Sequence, residues 1–403
     1  MSSSHEIFLT SSPDGPIIAY DASSGAILAR FTGSQSPRQG LALAGNTFLA
    51  ASHISSATAS GSIHLYNWWS STVFRHLPLP EPVAPLAASR DGLYLFAGGL
   101  SGNIHALSLP SGNLVKSIPA HDKPVSCLKI NDDGSLLISG SDDGTIVVVP
   151  IFSLVQASAS EDEGNFIMRR FEAHADSVAD IASGMGPAII SCSLDCSCKF
   201  WDLLRGVHLR TVAFPCTIFG VALDPTDSEF YAGGSDGFVY KGILKVGSKQ
   251  LVNQGRELVK WSPKHDGAIV SVVMTNEGQN LVSAADDGSV WIWEVATGQV
   301  VKALRNDDMG SISDMVVATG LSHGRGHRAG TRTAESGASC HGISARELSL
   351  PIKQTLEMED MLSMVGKDMS RAIDMLESAI NNYERLLELI LKEAKGGSTN
   401  SSE

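Results

Sequence analysis

The chain has 403 residues, of which 43% are hydrophobic and 18% charged, and its formal net charge is −13. This composition is typical of a well-packed soluble protein and argues against a disordered chain or a generally basic nucleic-acid binder. No apolar run reaches the length of a transmembrane helix, the N-terminus lacks the features of a secretory signal, and six cysteines are too few for a disulfide framework. We therefore expect no membrane segment, and reduced thiols in the cytosol or nucleus.

A strand–turn–strand pattern recurs seven times along most of the chain. Each copy has an apolar strand, a tight turn and a second apolar strand, and most of the turns contain glycine, often next to aspartate. The units are, in chain order, Ile7–Leu9 with Ile17–Tyr20, Thr47–Ala51 with Gly61–Tyr66, Tyr94–Ala97 with Ile104–Leu107, a unit beginning at Leu136, a unit beginning at Ile189, Glu229–Ala232 with Phe238–Tyr240, and a unit beginning at Leu281. Repeats of about 40–45 residues are typical of propeller blades. The pattern predicts an all-β, seven-bladed WD40 β-propeller over residues 1–319.

The two ends of the repeat region predict how the ring closes. The first unit lacks a strand before it, because only six residues precede Ile7. The apolar segment Ile312–Ala318 follows the seventh unit. We expect this segment to pair beside Ile7–Leu9, which would protect sheet edges that otherwise favour aggregation.

Polar residues recur at fixed places in three of the units. A histidine precedes the first strand, a serine lies on the following strand and an aspartate lies in the turn; in two units a tryptophan ends the next strand. We expect these side chains to form buried hydrogen-bonded networks that specify the packing of each blade. Hydrolases use the same residue types, but a catalytic site is not normally present three times. The predicted blade network comprises His121, Ser139, Asp143, His174, Ser191, Asp195, Trp201, His265, Ser283, Asp287 and Trp293.

Two other segments are candidate sites. Residues 154–165 form an acidic stretch, interpreted as a solvated loop with partner contact as the alternative. Cys192, Cys196 and Cys198 have the spacing C-x3-C-x-C across a strand and a turn, which does not suit a four-ligand zinc site. We interpret them as free thiols packed in the blade. No nucleotide-binding, metalloprotease or nucleophile-elbow motif occurs in a fitting context, so we expect no cofactor, no metal and no catalytic residues.

The composition changes after Ala318. Residues 320–350 are rich in Gly, Ser, Arg and His, which predicts a flexible basic linker; contact with RNA or with an acidic partner stays open beside a simple tether. Residues 351–396 are predicted to form one long α-helix, and residues 397–403 a disordered tail. Apolar residues of the helix alternate spacings of four and three, as in a coiled coil with a second copy or with another subunit; docking on its own propeller is the alternative. The predicted seam comprises Leu362, Val365, Met369, Leu376, Ala379, Tyr383, Leu386 and Ile390.

The arrangement of these parts resembles a known family. The blade with Ser141-Asp-Asp-Gly-Thr-Ile146, the Trp291-Ile-Trp-Glu294 blade before the tail and the C-terminal heptads are similar to the WD-repeat protein 18 family. The opening, Glu6-Ile-Phe-Leu-Thr-Ser-Ser-Pro-Asp-Gly15, resembles the plant members, called root initiation defective 3. The resemblance covers essentially the whole chain, and its specificity comes from the arrangement, because single WD motifs are generic.

The resemblance implies a non-catalytic scaffold subunit of the Rix/PELP-type complex on late pre-60S ribosomal particles. It implies a PELP-like scaffold and a testis-expressed-10-like subunit as partners, a role in removing internal transcribed spacer 2 from rRNA, and docking of a midasin-type AAA ATPase. In fungal relatives two copies join through their C-terminal helices, which implies self-association through the seam. The implied location is the nucleus, in both nucleolus and nucleoplasm.

Two other classes of function compete with this reading. The first is a WD40 substrate receptor of a cullin-type ubiquitin ligase. Such receptors often carry W-D-x-R at a strand end, whereas Trp201-Asp-Leu-Leu-Arg205 places the arginine one position late. The second is an enzyme, which a hydrolase assay with substituted Asp or His residues would test; we expect those substitutions only to impair folding.

Overall fold

The computed structural model describes residues 6–45, 47–54, 61–68, 70–156, 167–184, 186–244, 258–275, 278–305 and 310–318. The predicted linker, the predicted helix with its seam residues, and the predicted tail lie outside these residues. The described strands form seven antiparallel sheets of four strands each. The prediction of an all-β, seven-bladed propeller is confirmed.

The described residues contain 28 strands and one short α-helix. The first eleven are β1 (Ile7–Ser11), β2 (Ile17–Asp21), β3 (Ile27–Phe31), β4 (Leu41–Ala44), β5 (Phe48–Ile54), β6 (Gly61–Asn67), β7 (Arg75–Pro78), β8 (Val83–Ala88), β9 (Tyr94–Gly99), β10 (Asn103–Ser108) and β11 (Asn113–Pro119). The next eight are β12 (Val125–Ile130), β13 (Leu136–Ser141), β14 (Thr145–Pro150), β15 (Arg169–Glu172), β16 (Val178–Ser183), β17 (Ala188–Ser193), β18 (Ser197–Asp202) and β19 (Val207–Ala213), with a short helix α1 (Ile151–Val155) after β14. The last nine are β20 (Ile218–Leu223), β21 (Glu229–Gly234), β22 (Val239–Ile243), β23 (Leu258–Lys260), β24 (Ile269–Thr275), β25 (Asn280–Ala285), β26 (Ser289–Glu294), β27 (Gln299–Arg305) and β28 (Asp314–Ala318).

The ring closes where the sequence predicted. Blade 1 has the strand order β28-β1-β2-β3, so the last strand of the propeller supplies its innermost position. β28 runs antiparallel to β1, with Ile7 opposite Ala318 and Ser11 opposite Asp314. The strand itself begins at Asp314, two residues after the predicted start, while Ile312 is buried in the cluster that contains Phe8. Blades 2 to 7 each contain four consecutive strands, from β4–β7 to β24–β27.

The hydrophobic core lies largely between neighbouring blades. One cluster joins Ile138 and Ile146 of blade 4 to Val178 and Ile189 of blade 5. Because each blade buries apolar side chains against the next one, the closed ring leaves no blade with an uncovered face. None of the helices in the described part of the chain is long and apolar enough to cross a membrane.

The tight turns within the blades require a left-handed residue. Gly144 has φ +80, and a Cβ there would lie 2.4 Å from the backbone oxygen of His174. Glycine is therefore needed for its backbone conformation and for the close approach of the neighbouring loop. In blade 5 the corresponding residue is Cys196, which adopts φ 61 although it has a side chain.

Candidate functional site

Blade 5 contains a continuous chain of hydrogen bonds through four of the predicted network residues. The indole Nε1 of Trp201 donates to Ser191 Oγ at 3.0 Å, and Ser191 Oγ lies 2.8 Å from His174 Nε2. His174 Nδ1 lies 2.9 Å from Asp195 Oδ2. Trp201 can only donate, so the Ser191 hydroxyl is free to donate to Nε2, and Nδ1 then donates to Asp195. The chain fixes one tautomer of His174 and links the loop before β16 to strands β17 and β18.

The same residue types as in a hydrolase triad are present, but the serine hydroxyls lie inside the blades. Ser139, Ser191 and Ser283 each have no exposed surface. In blade 5 the serine oxygen is already bonded to both the indole and the imidazole. A nucleophile has to reach its substrate, so this arrangement suits packing rather than acyl transfer.

In blade 7 a serine hydroxyl connects the histidine to the aspartate. Trp293 Nε1 donates to Ser283 Oγ at 2.8 Å, and Ser283 Oγ lies 2.7 Å from His265 Nε2. His265 Nδ1 does not reach the aspartate directly but lies 2.6 Å from Ser289 Oγ, which donates to Asp287 Oδ1 at 2.6 Å. Ser289 therefore lies between the histidine and the aspartate, and sequence reasoning missed it.

Blade 4 has the same relay without the tryptophan. His121 Nε2 lies 2.8 Å from Ser139 Oγ and Nδ1 lies 2.9 Å from Thr145 Oγ1, while Asp143 Oδ2 is 3.5 Å from Nδ1. Asp143 accepts the backbone N–H of Thr145 at 2.7 Å. Ser191 and Ser283 each accept an indole N–H, and Ser139 has no such donor.

Burial sets the protonation state of the three histidines. Burial lowers the pKa of His121 and of His265 to about 4, although Asp143 and Asp287 act in the opposite direction. Burial also lowers the pKa of His174, with Asp195 opposing it. These imidazoles are therefore neutral at pH 7, as the donor–acceptor order of the chains requires.

The turn aspartates remain ionised for a different reason. Burial by itself would raise the pKa of Asp195, but hydrogen bonds from Ser197 and the proximity of His174 lower it. For Asp287 burial is likewise outweighed, here by the hydroxyl and the backbone N–H of Ser289. Each blade thus pairs a neutral imidazole with an anionic carboxylate that is held by N–H and O–H donors.

Blade 3 contains a network that the sequence analysis missed. Glu81 lies in the loop before β8, and its Oε1 is 2.8 Å from Nε2 of His105 on β10. Ser101 donates its backbone N–H to Glu81 Oε2 at 2.7 Å. Here the acid lies in the loop before the innermost strand, and the imidazole lies on β10 at the register position that Lys199 has in blade 5, not in the turn. Their separation of 24 residues equals that of His121 and Thr145, and this spacing is the signal that could have revealed the pair.

Blade 6 contains a second network that was missed. Tyr240 donates its hydroxyl to Asp236 Oδ2 at 2.7 Å, and Lys260 Nζ lies 3.2 Å from the same oxygen. The ammonium of Lys260 is also 3.4 Å from the ring centroid of Phe238. A tyrosine and a lysine therefore replace the histidine, and Asp236 retains the position of the turn aspartate.

The three cysteines of the cluster differ in burial. Cys192 and Cys198 lie opposite each other on β17 and β18 and are fully buried, and burial raises the pKa of each thiol well above its usual value. Cys196 is partly exposed in the turn. Within the described residues no group of three or more His, Cys, Asp or Glu side chains is arranged to hold a metal ion.

One end of the central channel is crossed by the segment that precedes β4. The guanidinium of Arg38 donates to the backbone oxygen of Phe219 and lies 4.7 Å from the centroid of that ring. The next side chain, Gln39, donates to Asp180 Oδ1 at 3.2 Å. Blade 2 thereby contacts blades 5 and 6 across the ring, and its own chain covers this end of the channel.

The chain matches the family model described as "WD domain, G-beta repeat". The matched residues are 112–149, 165–202 and 256–294, which include the three inner strands of blades 4, 5 and 7. These are the three blades in which a histidine, a serine and an aspartate recur in the predicted order. The remaining blades depart from the repeat at those positions.

Several relatives are similar over most of the propeller. Protein ROOT INITIATION DEFECTIVE 3 of Arabidopsis thaliana is 33% identical over 302 residues, which are 74% of this chain and 68% of that protein. WD repeat-containing protein 18 of Homo sapiens is 27% identical over 304 residues, covering 73% and 68%. Pre-rRNA-processing protein crb3/ipi3 of Schizosaccharomyces pombe is 24% identical over 323 residues, covering 72% and 71%.

A solved structure shows the same fold without close sequence similarity. The crystal structure of the computationally designed Ika8 protein superposes with a TM-score of 0.56 at 21% identity, covering 77% of this chain and 90% of that one. The similarity supports the architecture alone.

Proposed function

Because the chain belongs to the family that includes Root initiation defective 3, WD repeat-containing protein 18 and the Ipi3-type proteins, we propose that it is a non-catalytic scaffold in pre-rRNA processing. The observation that carries this proposal is the family membership, together with the description of two fungal members as pre-rRNA-processing proteins. Ribosome assembly takes place in the nucleus, so we place the protein there.

The geometry of the blades supports a scaffold rather than an enzyme. Every histidine, serine and aspartate of the predicted network is used to hold strands and loops together. A rigid ring with buried, satisfied polar groups presents its loops in fixed positions, which is what a platform for several partners requires.

The finer part of the proposal concerns the complex. We place the chain in a Rix/PELP-type assembly on late pre-60S particles, beside a PELP-like scaffold and a testis-expressed-10-like subunit. In that setting it supports removal of internal transcribed spacer 2 and docking of a midasin-type AAA ATPase. The resemblance of the whole chain to the family supports these partners.

Affinity purification followed by mass spectrometry tests the proposal. The tagged full chain is expected to recover pre-60S factors and the two complex subunits, and its depletion is expected to cause accumulation of precursor rRNA that retains internal transcribed spacer 2. A tagged, unrelated WD40 propeller of similar size is the control for nonspecific binding. Recovery of a cullin and its adaptor without ribosomal precursors would overturn the proposal in favour of the ubiquitin-ligase alternative.

Self-association through the seam is a separate part of the proposal. Replacing Leu376 and Leu386 by glutamate is expected to convert a dimer into a monomer, because charges at two core positions cannot be buried between helices. Multi-angle light scattering after size exclusion measures the mass. The matched control is Glu377→Lys, which changes charge beside the seam. A dimer that persists in the double variant would show that the seam does not mediate pairing.

A further inference from the structure

The central channel contains a single lysine among small apolar side chains. The innermost strands of the seven blades place one residue each at an equivalent register position, defined by its partner on the next strand. In blade 4 this residue is Lys129, opposite Ile138. In the other blades it is Ala42, Ala87, Ala182, Ala222, Val273 or Val316. A lysine at one of seven equivalent positions lacks the apolar packing role that the other six share.

The channel forms a cavity with one covered end and one open end. Its volume is about 390 Å³, and Lys129, Val273 and Val316 lie in its wall. Gln39 covers it at the end where the inner strands begin. At the opposite end the wall includes Arg90 and Asp132, whose side chains are 64% and 44% exposed. In the described part of the chain, the channel is therefore open to ligands at that end.

The other charged groups of the cavity are already satisfied. Asp314 Oδ2 accepts the backbone N–H of Leu41 at 3.0 Å, and Asp180 Oδ2 accepts that of Val221 at 3.1 Å. Arg90 and Asp132 form an ion pair with each other at the rim.

Lys129 differs from these groups. Its side chain is exposed to the channel, and within the described part of the chain no carboxylate oxygen lies within 4.0 Å of its Nζ. Lys129 interacts electrostatically with the buried Asp314 of the same cavity but forms no direct ion pair with it. In the described part of the chain, the cavity thus offers one cation without a direct carboxylate contact, surrounded mainly by aliphatic walls.

We propose that the channel binds a small organic carboxylate with an apolar body, with the Lys129 ammonium as its anchor. A charge-assisted hydrogen bond from an ammonium to a carboxylate is about twice as strong as a neutral one. The alanine and valine walls would cover the apolar body, and sites of about 300–1,000 Å³ with few polar groups are typical of small-molecule binding. This site is independent of the proposed role in rRNA processing.

Octanoate is a suitable probe, because it combines one carboxylate with an apolar chain of a length that the cavity accommodates. Isothermal titration of the full-length protein is expected to show saturable binding of octanoate and at least tenfold weaker binding of octanol, which lacks the charge. Lys129→Met is expected to weaken octanoate binding at least tenfold while leaving octanol unchanged. The matched control is Lys123→Met, which removes an exposed lysine from the loop before the same strand.

A second variant tests the cavity rather than the charge. Val273→Phe adds a ring to the channel wall and is expected to abolish binding of both probes while Lys129 remains. Thermal unfolding of each variant establishes that the ring is intact. The proposal is overturned if wild-type protein shows no saturable octanoate binding, if Lys129→Met binds as tightly as wild type, or if Val273→Phe, folded, binds unchanged.

Discussion

His121, His174 and His265 have side chains without exposed surface, and each accepts or donates at both ring nitrogens. Protonation of such a ring would turn Nε2 into a second N–H donor that faces the serine hydroxyl. The hydroxyl could then no longer donate its hydrogen to Nε2 and would have to reorient. The neutral form is therefore part of the folded structure, and acid should act on the protein through these residues.

We predict that the free energy of unfolding falls as the pH drops from about 6.5 to about 4. The pKa of His121 and of His265 is about 4 in the folded protein and 6.5 in the unfolded chain, so each ring takes up a proton on unfolding within this window. Each contributes up to about 1.4 kcal/mol per pH unit, in the direction of lost stability as the pH falls. Asp314 acts oppositely but is a single group. Urea unfolding at four pH values measures the slope.

The variant His265→Gln isolates one contribution to that slope. Glutamine does not titrate, so the pH dependence should decrease by up to one proton even if the variant is less stable at every pH. An unfolding free energy that stays constant between pH 6.5 and 4 in wild-type protein would contradict the neutral, buried histidines.

Cys196 is a residue-scale exception in the turns, and replacing it by glycine is predicted to stabilise the protein by about 1 kcal/mol. Its φ of 61 is in the left-handed region, which costs a residue with a Cβ about 1–2 kcal/mol of folding free energy. Glycine adopts this φ without strain, but its more flexible unfolded state offsets part of the stabilisation. Urea unfolding of Cys196→Gly measures the change. As the reverse control, Gly144→Ala should destabilise the protein because of both its φ and its contact with His174.

At the scale of the blade, the sequence predicted the strands and turns well because their signals are local. Apolar runs separated by tight turns identified all seven inner hairpins, and the recurring histidine, serine and aspartate marked blades 4, 5 and 7. Blades 3 and 6 were recognised as blades but not as polar networks. In blade 3 the acid lies in the loop and the histidine lies on a strand rather than the reverse order of loop histidine and turn aspartate. In blade 6 Tyr240 and Lys260 replace a histidine, so a search for one residue order could not find either network.

Blades 4 and 5 offer a matched test of what their networks contribute. Ser191→Ala leaves two buried groups without a partner, His174 Nε2 and Trp201 Nε1, whereas Ser139→Ala leaves only His121 Nε2. An unsatisfied buried polar group costs about 1–3 kcal/mol. We therefore predict that Ser191→Ala destabilises the protein by about 1–3 kcal/mol more than Ser139→Ala does.

Urea unfolding monitored by tryptophan fluorescence compares the two serine variants. Both serine oxygens also lie at similar distances from a backbone oxygen of the adjacent strand, 3.3 Å for Ser139 and 3.4 Å for Ser191, so this contact does not distinguish the two variants. Equal destabilisation by the two substitutions would show that the indole hydrogen bond contributes nothing measurable.

At the scale of the whole molecule, ring closure was predictable but the contacts across the ring were not. The closing strand could be inferred because an unpaired apolar segment at one end must cover an unpaired strand at the other. Arg38 and Gln39 instead meet residues 181 and 141 positions away, on blades 6 and 5. No periodic pattern in the sequence relates residues that meet only because seven blades form a circle. The covering of one end of the channel by Arg38 and Gln39 could therefore not be predicted from the sequence.

Asp314 on the closing strand β28 accepts a hydrogen bond from Leu41 of blade 2, and its titration should report on this contact between blades 1 and 2. Burial raises its pKa to about 7, against hydrogen bonds from the backbone N–H groups of Leu41 and Met315, while in the unfolded chain it is 3.8. A raised pKa means that stability from this group is present below about pH 4 and lost as the pH rises through 7. Asp314→Asn retains an acceptor for Leu41 but cannot ionise. We predict that its stability relative to wild type increases by about 1.4 kcal/mol per unit between pH 4 and 7 and is constant outside that range. Paired urea titrations measure this difference, with Asp133→Asn at an exposed carboxylate as the control. If the difference in unfolding free energy between Asp314→Asn and wild type does not change with pH, Asp314 is ionised in the folded protein throughout this range.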